Sequence, residues 1–222
     1  MTLTRVLVLV VSFSMAPSAW AQEAHPIAQQ PVRQVGDEWT YTIVSNGLYM
    51  GKRLQKFAGT ATYRGQPAFR ITSRLLDVRS EKVRAFLEDS DHFYTPAGAW
   101  IGERLGPGRE DYAEPPLPIT LWPLEVGKRW SATVSYYLEF DNFPQVQNRF
   151  RVIAYESVNV PAGTFEAFHL GHRAFHPEYP TSGSSMDYWY APEVKNMVKY
   201  KGIDWHSGFN YVMELVSYRL KE

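Results

Sequence analysis

Apolar and polar residues alternate with period two along much of this chain. In the longest such run, residues 130–140, Trp130, Ala132, Val134, Tyr136, Leu138 and Phe140 share one face, and Ser131, Thr133, Ser135, Tyr137 and Glu139 the other. A helix advances about 100° per residue and cannot bury one face of such a pattern, so the run predicts a strand. Trp39, Tyr41 and Ile43 alternate with Thr40 and Thr42 in the same way. Segments 152–160, 164–170, 186–190, 197–203 and 209–220 are rich in aromatic and β-branched residues, which suit a pleated surface. Turn chemistry separates them: Ser45-Asn46-Gly47, Arg64-Gly65-Gln66-Pro67, Pro161-Ala162-Gly163 and His206-Ser207-Gly208. The last strand has apolar residues on both faces, Phe209, Tyr211, Met213 and Leu215 against Val212, Val216, Tyr218 and Leu220. That pattern predicts cover on both sides. Helical signal is thin. Residues 75–88 read as one short helix or as a hairpin centred on Ser80, with the hairpin favoured.

The first 21 residues read as an address rather than as structure. Arg5 precedes the apolar run 6–13, and Ala19 and Ala21 place small residues at −3 and −1 of a cleavage site before Gln22. The run is too short for a span, which takes roughly 18 or more apolar residues. A cleaved Sec-type signal, cut between Ala21 and Gln22, implies a periplasmic or secreted protein. Residues 22–33 are polar, carry Pro26 and Pro31, and read as a flexible leader.

Two segments of the mature chain echo each other. Val35-Gly36-Asp37-Glu38-Trp39 recurs as Val126-Gly127-Lys128-Arg129-Trp130. The turn Tyr63 to Phe69 parallels Val160 to Phe168, and Tyr94-Thr95-Pro96 parallels Tyr190-Ala191-Pro192. These landmarks keep their order at a spacing of roughly 90–100 residues, far beyond the ~20–50 of solenoid repeats. They predict two similar β units, 34–104 and 124–222, within one continuous domain. The proline-rich segment 105–123 joins them. It carries Leu117, Ile119, Leu121 and Trp122, so it is expected to pack on the sheet rather than hang free. Gly36, Trp39, Gly127, Trp130, Pro161, Gly163, Trp189 and Pro192 read as structural anchors.

Composition narrows the chemistry. There are 23 Lys+Arg against 23 Asp+Glu, a balance that gives no bulk attraction to nucleic acid. The chain has no cysteine, which excludes disulfides, thiolate nucleophiles, Cys-based metal sites and a lipobox anchor. Aromatic residues are 15% of the chain, more than turns and surface need.

The landmarks resemble an uncharacterised family of bacterial periplasmic proteins, a domain of unknown function. Its Gly-x-x-Trp, Val-Pro-Ala-Gly-Thr-Phe and Trp-Tyr-Ala-Pro elements match Gly127 to Trp130, Val160 to Phe165 and Trp189 to Pro192, with Val194-Lys195 and Val198-Lys199 beyond. The resemblance covers roughly residues 34–220, and departs from the family at Lys195 and Asn196. It implies a mainly β fold, a strongly bent antiparallel sheet or half-barrel with little helix, similar to lipoprotein-localisation factors. It implies no catalytic residues and no cofactors.

Candidate chemistry is sparse. No Gly-x-Ser-x-Gly elbow or phosphate loop is present. The histidines cluster only at His169, His172 and His176. On a strand His169 and His172 point to opposite faces, so His172 and His176 remain weak metal candidates. The chain therefore reads as a non-enzymatic binding protein. Its concave face, with Tyr136, Leu138, Phe140 and Phe150, is expected to hold a lipid-like or other hydrophobic ligand, or to be closed as core. One alternative is an envelope-assembly subunit that docks a partner protein on a strand edge. Another is a hydrolase, to be recognised by His, Asp and Ser converging in a cleft.

Overall fold

The structure, a computed structural model, describes residues 26–79, 88–106, 108–138, 141–204 and 210–222. The signal segment, His25, Ser80, Phe140 and His206 lie outside these residues. Twelve strands are described: β1 (Glu38–Ser45), β2 (Leu48–Tyr63), β3 (Gln66–Leu76), β4 (Ser90–Tyr94), β5 (Trp100–Gly106), β6 (Arg109–Leu117), β7 (Arg129–Tyr137), β8 (Asn142–Val160), β9 (Gly163–His176), β10 (Tyr179–Ala191), β11 (Asn196–Asp204) and β12 (Asn210–Arg219). A single 3-10 turn, Pro192–Val194, is the helical element among the described residues.

Each strand pairs antiparallel with the next, and β12 returns to pair with β1, so the sheet is a closed up-and-down barrel. This corrects the expected half-barrel. An open sheet leaves two rows of unpaired backbone groups, and closure removes both. The seam runs from Glu38 opposite Arg219 to Ser45 opposite Tyr211. Arg219 Nη2 donates to Glu38 Oε2 at 2.6 Å, and Lys221 N to the buried Asp37 Oδ1 at 2.7 Å.

The two Val-Gly-x-x-Trp segments build the same turn. Gly36 (φ +98°) and Gly127 (φ +91°) occupy backbone closed to side-chain-bearing residues. Gly36 N donates to Phe57 O and Phe57 N to Asp37 O. Likewise Gly127 N donates to Val152 O and Val152 N to Lys128 O. Trp39 and Trp130 then point inward and donate their indole N–H to Val194 O (2.8 Å) and Pro118 O (2.7 Å). Arg64-Gly65 and Pro161-Ala162 form the β2–β3 and β8–β9 turns, and Tyr94 and Ala191 end β4 and β10.

Period two separates an aromatic interior from a charged exterior. Rings on six strands form a belt around the inner wall. Trp130 stacks on Phe150 (5.2 Å), Phe150 on His172 (4.2 Å), and His172 lies against Tyr188 (6.4 Å). Tyr188 meets Tyr200 (5.9 Å), and Tyr200 meets Tyr41 (5.7 Å), both edge-on. Such pairs contribute about 0.5–1.5 kcal/mol each beyond their area burial. The outer face carries ion pairs such as Lys56–Glu38, Arg74–Asp91 and Lys199–Glu214. This is the reverse of a membrane barrel, which turns an apolar band outward. No helix among the described residues is long and apolar enough to cross a membrane.

One end of the barrel is closed by its own chain. Val158, Val160, Phe165 and Ala167 of the β8–β9 hairpin share a buried cluster with Trp39, Phe57 and Ile71 from non-neighbouring strands. Ala162 N at the hairpin tip donates to Leu215 O of β12 at 2.9 Å.

Two segments differ from their sequence reading. Residues 26–33 do not hang free. Ala28 and Leu124 exchange both backbone hydrogen bonds (2.9 and 2.8 Å), Gln30 Nε2 donates to Pro96 O (2.7 Å), and Arg33 Nε to Lys195 O (3.0 Å). Ala28 and Leu124 are buried, and that apolar contact outweighs the polar composition of the stretch. The crossing segment contains a strand, β6, paired with β5 as far as Leu117 opposite Trp100. Its pairing with β7 stops at Glu114, where Pro115 and Pro116 remove the backbone donors. Beyond it Ile119, Trp122 and Leu124 pack on the barrel wall, Trp122 edge-on to Tyr190 at 5.0 Å.

Candidate functional site

A cavity of about 410 Å³ opens where the strap 30–33 and the loops at Pro96–Gly98 and Ile119–Trp122 cover the lumen. Its size lies within the ~300–1,000 Å³ of ligand pockets. The walls are inward residues of β2, β3, β4, β10 and β11: Phe57, Phe69, Ile71, Tyr94, Tyr188 and Tyr200. Their parity on each strand places them there, since Phe69 and Ile71 alternate with the outward Arg70. Among the described residues no acidic side chain lines this space, and Arg33 is the charged group that does.

The tyrosines around the lumen are held in their neutral form. Burial pushes Tyr94, Tyr190 and Tyr211 up to about 12, and moves Tyr41, Tyr188 and Tyr200 further in the same direction. The Arg33 guanidinium acts against this at Tyr41, Tyr94, Tyr190 and Tyr200, so its positive charge is felt across the mouth.

Deeper in the lumen β4 continues inward with His92 and Ser90. Ser90 Oγ lies 3.0 Å from His92 Nε2, and His92 Nδ1 lies 3.4 Å from Glu103 Oε2 on β5. Burial lowers the His92 pKa, against the pull of Glu103. Arg53 of β2 shares this field with Glu103 and Asp89, and burial lowers its pKa as well. Ser90 itself is buried. Sequence reading missed this group because its members lie on three strands. The alternating Ser90-Asp91-His92 was the one local signal.

The residues proposed from sequence fall elsewhere. Tyr136 points inward and donates its hydroxyl to Asn148 Oδ1 at 2.8 Å. Phe150 is the buried middle of the Trp130–Phe150–His172 stack. Leu138 is partly exposed just past β7. These three contribute to wall and rim, while the cavity is lined by other residues. His172 is inward and buried, with Nε2 2.9 Å from Asn148 Oδ1. His176, at the end of β9, accepts from Glu178 N at Nδ1. His169 faces outward between Glu156 (3.3 Å) and Asp187 (2.8 Å), stacked on Trp189 at 4.4 Å. No group of three metal-ligand side chains converges among the described residues.

No family model matches this chain, and no curated protein does. The solved structures similar to it include the following three. A candidate exported protein with a YmcC-like fold from Bacteroides fragilis has 13% identity and a TM-score of 0.47, covering 86% of this chain and 99% of its own. A candidate lipoprotein from Parabacteroides distasonis has 11% identity and a TM-score of 0.40, with the same coverage. The hypothetical lipoprotein YmcC from Escherichia coli has 8% identity and a TM-score of 0.45, covering 86% of this chain and 91% of its own.

Proposed function

We propose that this chain is an exported, non-enzymatic binding protein that carries a hydrophobic small molecule in its barrel. The observation that carries this reading is the 410 Å³ cavity walled by Phe57, Phe69, Ile71, Tyr94, Tyr188 and Tyr200. A void of that size lined by apolar rings forfeits dispersion contacts on every side, and an apolar ligand restores them. The matched turns at Gly36 and Gly127 support two fused β units as the origin of a lumen this wide. Closure argues against a partner added on a strand edge, because β1 and β12 already pair with each other. Native mass spectrometry after gentle purification tests the reading, together with titration of a neutral fluorescent probe, N-phenyl-1-naphthylamine. A co-purified adduct or saturable probe binding is expected. A clean apoprotein that binds no probe sinks it.

A second reading, a hydrolase, is favoured by one observation, the alignment of Ser90, His92 and Glu103 in the order nucleophile, base and orienting carboxylate. Ser90 is buried and does not line the 410 Å³ cavity. Covalent labelling of Ser90 by a fluorophosphonate, lost in His92→Gln, would establish this reading. An unlabelled native protein rejects it.

A further inference from the structure

We infer that the ligand is a chain-like carboxylate whose anionic head sits at the mouth between Arg33 and Asn196, with its apolar tail in the lumen. This rests on the binding reading above and names the class of molecule.

Arg33 enters the mouth from the strap and is held by one bond, Nε to Lys195 O at 3.0 Å. That bond fixes the plane of the guanidinium and leaves its two terminal nitrogens. No carboxylate among the described residues pairs with them, although the outer wall is laced with ion pairs. The Trp39 ring lies 5.7 Å from the guanidinium carbon and shields its inner side. A planar carboxylate fits a pair of parallel guanidinium N–H groups, and such charge-assisted bonds are about twice as strong as neutral ones.

Asn196 is an independent second observation. It lines the same cavity, is 6% exposed, and its Nδ2 has no hydrogen-bond partner. A buried amide donor without a partner is costly, and native structures leave few of them. It follows Lys195, the residue whose carbonyl anchors Arg33, so both donors belong to one corner of the mouth. An anion there satisfies both. The remainder of the lining is apolar or neutral, which suits a hydrocarbon tail and offers no counter-charge to a cationic head.

Isothermal titration with decanoate, decanol and decylamine tests this on the full protein. Decanoate is expected to bind at least about tenfold tighter than decanol, the gain of one charge-assisted contact, and decylamine weakest. Arg33→Gln is expected to abolish the preference, read as the ratio of decanoate to decanol affinity, and Arg33→Lys to keep part of it. Because Arg33 also ties the strap, Asn196→Asp serves as a near-isosteric second variant. It places a like charge beside the head and should weaken decanoate alone. Equal binding of decanoate and decanol, or a preference that survives both Arg33→Gln and Asn196→Asp, overturns the carboxylate and leaves the lumen reading standing. Tightest binding by decylamine does the same. Failure of all three chains to bind overturns both.

Discussion

His172 Nε2 lies 2.9 Å from Asn148 Oδ1, and that contact decides which ring nitrogen carries the proton. An amide oxygen only accepts, so His172 donates from Nε2 and is neutral with a bare Nδ1. Nδ1 is buried without a partner, which a neutral ring tolerates and a charged one does not. Burial lowers the His172 pKa to about 4, below its ordinary value near 6.5. The unfolded chain therefore binds the proton more readily than the fold. Stability conferred by the neutral ring is full above about pH 6.5 and is lost as pH falls toward 4, by up to roughly 3 kcal/mol. Urea unfolding across that range should show the loss, and His172→Gln should flatten part of it. His92, whose pKa burial also lowers, contributes in the same direction. An unchanged slope in the variant would place the pH dependence elsewhere.

Trp39→Phe should cost about 2–4 kcal/mol. The indole is fully buried and donates to Val194 O at 2.8 Å, so the change leaves both a cavity and an orphaned carbonyl. Trp130→Phe, at a more exposed position in the matching turn, should cost about half as much. The midpoints of denaturant unfolding, at constant m-value, measure both.

Gly102→Ala should be strongly destabilising. Its Cβ would collide with Asp111 O and stand 2.7 Å from Tyr112 Cβ, where β6 crosses close to β5. Backbone cannot yield as a side-chain tip can, and overpacking of this kind costs about 1–3 kcal/mol or more. Gly106→Ala, with nothing among the described residues within 4 Å, is the control and should lie within about 0.5 kcal/mol of the parent.

Alkaline titration should divide the 14 tyrosines into early and late groups. Tyr94, Tyr190 and Tyr211, pushed up to about 12 by burial, should ionise well after exposed rings. The sign follows from the raised value. The neutral rings stabilise the fold fully below about pH 10, and that contribution is lost as pH rises through 12. Ultraviolet difference spectra should therefore show the late group ionising together with unfolding. Simple one-step ionisation of all tyrosines would show that the lumen is open to water.

A chain beginning at Gln34 should lose about 1–2 kcal/mol, the worth of the paired Ala28–Leu124 backbone bonds and their burial. The same truncation should speed entry of N-phenyl-1-naphthylamine in stopped-flow fluorescence, because the strap covers the mouth. Unchanged kinetics would mean that ligands enter by another route.

Legibility in the sequence followed locality. Residues 130–140 declare a strand because alternation is a property of neighbours, and β7 runs Arg129–Tyr137. β4 and β5 were not singled out, since short strands with mixed faces such as Ser90–Tyr94 carry little periodic signal. Tyr136 and Phe150 pack in one inward cluster, but which inward residues border empty space depends on what the strap and the crossing segment cover.

The chain alone determined the β class, the inward pairing of aromatic residues, and the paired Gly-x-x-Trp turns, all of which arise from backbone period and local φ preferences. Only the tertiary structure decided that the sheet closes, that residues 26–33 belong to the mouth, and that Arg33 is tied to Lys195 O. Those outcomes join groups such as Glu38 and Arg219, 181 residues apart, through hydrogen bonds and burial that no local pattern encodes.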